Sequence, residues 1–157
     1  MPPEALARMR VAAVDDAGNE LVVTVPDEVG LPLRCCLRES TAGERIALVA
    51  HRPFPWDGVY AEVGPVFIHA DECGGYRSTD AYPEGFRHRR QIFRAYGYDR
   101  TIVDAEIVEG EGAEDAVAAL LARPEVHFVH SRNVAYGCFM FVLHRPDDTS
   151  ALAPSRT

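Results

Sequence analysis

Lysine is absent from this chain: all 16 of its basic residues are arginine. That excludes mechanisms built on an amine side chain, such as Schiff-base chemistry or the lysine of a phosphate-binding loop. Positive charge is in deficit as well, with 24 acidic residues against 16 basic ones and a formal net charge of -8. A surface of that sign disfavours a phosphate backbone, so nucleic acid is not an expected partner. No apolar run approaches the ~20 residues a membrane-spanning helix needs, and no membrane partner is expected. The opening MPPEALARMR has no basic segment leading into an apolar one, so a cytoplasmic location is expected. The four cysteines, Cys35, Cys36, Cys73 and Cys138, include no C-x-x-C pair, and reduced thiols are the expectation. G-x-G-x-x-G, G-x-S-x-G, H-E-x-x-H and phosphate-loop signatures are missing too, and no organic cofactor is expected.

What is present is ordinary globular composition: 157 residues, 47% hydrophobic and 25% charged, enough for one core without staples. The expected organisation is a single domain over 1–145 and a flexible tail over 146–157. Short β-rich runs dominate. Arg10 to Val14 and Glu20 to Val25 read as a hairpin around Asp15-Asp16-Ala17-Gly18-Asn19. Leu33 to Arg38 and Arg45 to Arg52 read as a second pair. Val59 to His69 reads as a strand bent at Gly64-Pro65. Residues 71–90 form a long aperiodic stretch, with a short helix expected around Pro83 to Arg90. Gln91 to Tyr96 and Thr101 to Val108 make a further hairpin, with Val103, Ala105 and Ile107 expected on its buried side. Val117, Leu120 and Leu121 form one apolar stripe, predicting the main helix over 113–122, ended by Pro124. Val126 to Arg132 and Tyr136 to Arg145 complete the set, the last strand being apolar on both faces and expected at the centre of a sheet. The fold class is α+β: a strand-dominated single domain with largely antiparallel sheets.

Several of these segments together resemble a family. Arg34-Cys35-Cys36-Leu37-Arg38, the Gly43-Glu44 turn, Tyr60 to His69 with Cys73, Arg94-Ala95-Tyr96 and Arg132 to Phe139 are similar to small bacterial proteins grouped as the domain of unknown function numbered 1203. The resemblance runs from about Leu33 to Arg145. It implies no reaction, because the family carries none.

Strand alternation sorts the candidate residues. His127 and His130 fall on opposite faces and cannot share an ion. His130 and Arg132 share a face, as do Arg94 and Tyr96, and a bulge at Gly64-Pro65 would bring Glu62 and His69 together. Cys138, close to Arg132-Asn133, is a candidate nucleophile with His69 or His130 as its base; the commoner reading of such a residue is a small, inert core hydrophobe. Cys73 is the second thiol candidate. No metal site is assigned. His69-x-x-x-Cys73 offers suitable ligand types, but further ligands from His88, His130 or Cys138 have no supporting spacing, and Cys35 and Cys36 would point to opposite faces of a strand. Arg87, Arg89, Arg90, Arg94 and Arg100 either pair with surface acids or bind an anion.

The leading expectation is a cofactor-independent enzyme or binding protein for an anionic small molecule. Arg94, Tyr96, Arg132 and Asn133 would hold the anion. His69 or His130 would act as acid or base, Glu62 would orient the histidine, and Cys138 or Cys73 would supply a thiol. The alternative is a non-catalytic interaction module or homo-oligomeric accessory protein whose polar residues are structural.

Overall fold

Proline at its first position, Glu4 in its first turn and Arg10 in its last frame the helix α1 (Pro3–Ala12), which ends at Ala13 in the left-handed conformation. The helix buries Leu6 and Met9, three residues apart. This corrects the strand expected from Arg10. Proline and glutamate suit the open N-terminus of a helix, and the Leu6/Met9 spacing outweighs a short β-rich run. Of the first expected hairpin only the single bridge Val14↔Glu20 forms, closed by Asp15 Oδ1 accepting from the amides of Ala17 and Asn19 at 2.9 Å each.

The computed structural model describes residues 1–54, 56–78, 80–146 and 148; most of the expected tail, including all of 149–157, lies outside the described residues. The chain divides into two compact units. The first comprises Met1–Arg52 and Val63–Phe86; the second comprises Pro53–Glu62 and the chain from Arg87 onward. No helix among the described residues is long and apolar enough to cross a membrane.

The first unit carries a five-stranded sheet in the order β1-β4-β5-β2-β3, formed by β1 (Val23–Thr24), β2 (Pro32–Leu33), β3 (Arg38–Glu39), β4 (Ile46–His51) and β5 (Gly64–His69). Three expectations change here. Leu33 to Arg38 is not one strand: β2 and β3 pair with each other across a turn at 34–37 in which Leu37 has φ 54°, and β2 joins β5 in parallel through Leu33↔Phe67. Arg45 to Arg52 pairs with β1 and β5 instead. The ladder of β4 and β5 runs unbroken from Ile46↔His69 to His51↔Gly64, so Gly64-Pro65 opens a strand rather than bulging one. Proline is tolerated at a strand's start because its missing donor is not needed there.

The second unit is a four-stranded antiparallel sheet in the order β7-β6-β8-β9, formed by β6 (Gln91–Gly97), β7 (Ile102–Val108), β8 (Val126–Asn133) and β9 (Phe139–His144). The helix α2 (Ala113–Leu121) buries Ala113, Val117 and Leu120 and packs against β8 and β6. The expected 91–108 hairpin is present, but β7 is an edge strand and Ile107 is 56% exposed, so its expected buried face is wet. The last strand is also an edge rather than the centre. Its two-sided apolar character comes from Phe139, Met140 and Phe141, all buried at its start, while Val142 to His144 are half-buried.

Candidate functional site

The turn at 34–37 determines the first cluster. On a strand, consecutive side chains point apart; in this turn Cys35 and Cys36 bring their sulfurs to 3.8 Å. His69, the last residue of β5, aims its Nδ1 at both, 3.3 Å from Cys35 Sγ and 3.7 Å from Cys36 Sγ. Cys73, four residues later, completes a group whose four ligand atoms all lie within 4.8 Å of one another. The opposite-face argument against Cys35-Cys36 is thereby corrected, because its premise of a strand does not hold.

The surroundings match this group. The amide of His69 donates to Cys35 Sγ at 3.2 Å. His69 Nε2 lies 3.4 Å from Glu44 Oε1 and 3.2 Å from Arg38 Nη2. Arg38 grips Glu44 through both terminal nitrogens, at 2.6 and 3.2 Å, and Thr41 donates its amide to the same carboxylate at 2.8 Å. With the ring proton on Nε2, Glu44 accepts it and the Nδ1 lone pair faces the sulfurs. Hydrogen bonding from Arg38, then from Thr41, holds the Glu44 carboxyl down at about 2. The hydrogen bond with Cys36, reinforced by burial, pushes the Cys35 thiol up to about 12. The same bond lowers Cys36.

A second polar group lies on one face of the second unit's sheet. Arg94 stands opposite His130 and Ile92 opposite Arg132, while Tyr96 faces Phe128. The two shared faces expected from the sequence are therefore one face. His130 is 1% exposed and enclosed by the rings of Phe54, Tyr96, Phe128 and Phe139, with centroids 4.8 to 5.0 Å away. Arg132, also buried, pairs with Glu62 and donates from Nη1 to the Gly137 carbonyl at 2.6 Å. Burial lowers its guanidinium from the ordinary value. Asn133 Oδ1 accepts from the amides of Ala135 and Tyr136 at 2.9 Å each, which shapes the turn between β8 and β9. Cys138 is half-buried and directs its thiol at the Tyr136 carbonyl, 3.7 Å away.

Of the residues expected to act together, His69 and Cys73 meet in the first unit; Glu62, Arg94, Tyr96, Arg132, Asn133, His130 and Cys138 belong to the second. Glu62 orients Arg132 rather than His69. Cys35, Cys36, Arg38 and Glu44 were not expected at the site. The signal for them was a pair of adjacent cysteines two residues before an arginine and eight before Glu44, in a run with no clean alternation.

Fold and site together define an α+β protein with a cysteine–histidine cluster beside a short turn. The chain belongs to the family described as a protein of unknown function, DUF1203, which matches residues 30–145 and so contains all four members of the cluster. No curated protein and no solved structure matches it.

Proposed function

We propose that this protein binds a zinc ion in its first unit through Cys35, Cys36, His69 and Cys73. The observation that carries this reading is the spacing. Zinc bonds of ~2.3 Å to sulfur and ~2.0–2.1 Å to nitrogen give tetrahedral edges of about 3.5–3.8 Å; the separations among Cys35, Cys36 and His69 are 3.3, 3.7 and 3.8 Å, and Cys73 lies within 4.8 Å of all three. Three thiolates, one imidazole and a divalent ion leave one net negative charge. Arg10 donates to the His69 carbonyl at 3.0 Å and brings a positive charge near, while the Arg38 beside the histidine is already paired with Glu44. Four protein ligands make a closed site, the structural rather than the hydrolytic type. The ion would tie the 34–37 turn, the end of β5 and the chain at Cys73 to one point.

Elemental analysis of the purified chain, with no chelator used, is expected to give one zinc per molecule. Cobalt in its place is expected to give the intense visible bands of a tetrahedral thiolate site. A substoichiometric metal content that added zinc does not raise would sink this reading.

A second reading is favoured by Arg94. It is half-buried, and among the described residues its hydrogen-bond partner is the Tyr96 hydroxyl, at 3.4 Å, with no carboxylate beside it. A guanidinium withdrawn from water without a counter-charge is costly, and a small carboxylate or phosphate on this face would offset that cost. Arg132, already engaged by Glu62 and Gly137, leaves Arg94 as the anchor. In a thermal-shift panel of small carboxylates and phosphates, at least one is expected to raise the melting temperature of the native chain and not of Arg94→Gln. Equal shifts in both proteins remove the proposal.

A further inference from the structure

The four members of the cysteine–histidine cluster do not face solvent equally. Cys35 and His69 are 2% and 8% exposed, whereas Cys36 and Cys73 are half-buried. An oxidant arriving from water therefore meets Cys36 and Cys73 first. The two sulfurs lie within 4.8 Å of each other, so less than 3 Å of movement brings them to the ~2.05 Å of a disulfide. The chain beyond Cys73 suits that movement. Gly74 and Gly75 both take positive φ, 73° and 69°, a conformation that glycine adopts without penalty. A Cβ at Gly75 would lie 3.8 Å from the Cys35 carbonyl oxygen, so this loop already runs alongside the cysteine turn.

We propose that Cys36 and Cys73 are a redox pair: a peroxide-class oxidant joins them and releases the zinc ion, while Cys35 and His69 stay in place. This rests on the zinc reading above. The step balances. One thiolate attacks the peroxide oxygen, breaking the O–O bond, releasing hydroxide and becoming a sulfenic acid. The second thiolate attacks that sulfur and displaces a further hydroxide. Two protons from the buffer neutralise both, so two thiolates, one hydrogen peroxide and two protons yield one disulfide and two waters. Two of the four ligands are thereby lost, and the remaining thiol and imidazole do not retain the ion. Pairing of Cys35 with Cys36 is disfavoured although their sulfurs are 3.8 Å apart. A bridge between adjacent residues closes a small ring that distorts the intervening peptide, and Cys35 is the buried member of the pair.

The test uses the full chain carrying Cys138→Ser, which removes the thiol outside the cluster, loaded with zinc. Hydrogen peroxide is added while a chromogenic chelator reports free zinc, and disulfides are mapped by mass spectrometry after alkylation. One zinc is expected to be released for each Cys36–Cys73 bridge formed, and a reductant is expected to restore binding. Cys36→Ser and Cys73→Ser are each expected to abolish the bridge. If zinc is absent before oxidant is added, the metal reading fails and this one with it. If zinc is bound but stays bound, or leaves only as sulfinic acids accumulate, the redox pair alone is overturned. A bridge that involves Cys35 overturns it as well.

Discussion

Glu44 shows what one side chain outside the ligand set contributes. Its carboxylate accepts from Arg38 and the Thr41 amide and lies 3.4 Å from His69 Nε2, so it helps orient the ring and favours a proton on Nε2, against the donor Arg38 Nη2 at 3.2 Å from the same nitrogen. Glu44→Gln keeps the volume but offers one acceptor oxygen where three donors converge. Zinc affinity is expected to fall about 10–100-fold, with the cobalt spectrum unchanged in shape, as competition against a chelator would measure. A change in the spectrum itself would mean that Glu44 acts on the geometry of the ligands rather than on their basicity. A second residue-scale effect concerns acid. His51 is buried at 4% exposure with Nδ1 2.9 Å from Asp16 Oδ2. Burial lowers its imidazole below the ordinary 6.5 despite that partner. Burial would raise Asp16, but hydrogen bonds from His51, the Arg52 amide and Arg8 outweigh it and hold the group at about 2. The signs agree. The unfolded chain protonates His51 more readily than the native one, so stability falls as pH drops below the imidazole's ordinary value. A further loss follows as pH drops from the ordinary carboxylate range toward the native Asp16 value. Melting temperature against pH is therefore expected to decline in two stages. Asp16→Asn, which removes a partner that raises His51, should deepen the first stage and shrink the second.

Among the elements, the turn behind the cysteines has little freedom. A Cβ built on Gly85 would lie 2.9 Å from Arg38 Cα and 3.0 Å from the Leu37 carbonyl oxygen. The 3-10 turn Glu84–Phe86 thus packs directly on the backbone that presents Cys36 and Arg38. Gly85→Ala is expected to cost on the order of 1–3 kcal/mol, read as a lower urea midpoint with unchanged slope, and to weaken zinc binding because the turn must shift. The same contact marks the limit of what could be read along the chain. Where an element is set by its own periodicity, the expectation matches the structure: the Val117/Leu120 stripe of α2 and the 91–108 hairpin are both present. The 34–37 turn is set instead by distant partners, including the Arg34 amide bound to the Phe67 carbonyl at 2.8 Å and Gly85 stacked behind it. No local pattern in Arg34 to Arg38 reports those contacts, and the β-rich composition alone predicts a strand. A strand there conceals the site, since its alternation separates two thiols that the turn brings together. The edge placement of β7 and β9 was hidden for the same reason: strand order depends on pairing, and pairing is long-range.

At the scale of the whole molecule, the chain crosses between its two units at 52/53, 62/63 and 86/87, so neither unit is a continuous segment. Each has its own sheet, and the second has its own aromatic core in Phe54, Tyr96 and Phe128. The two are unequally supplied with regular structure around their functional residues. The second unit's polar residues stand mainly on long paired strands, whereas three of the four residues of the cysteine–histidine cluster sit in turns or loops of the first. Backbone in such segments owes its order to what side chains tie together, and an ion held by four of them contributes folding free energy directly. Removing the metal should therefore loosen one unit selectively. Hydrogen exchange after zinc is stripped by a strong chelator is expected to accelerate at residues 34–37 and 69–77. The paired amides of β6 and β8 should keep their protection, and re-addition of zinc should reverse the change. Faster exchange spread evenly over both sheets would show instead that the ion stabilises the molecule as one cooperative body. No change at 34–37 would show that the turn is held by its backbone and packing contacts alone, and the affinity lost in Glu44→Gln would then report on the ion's hold and not on the fold.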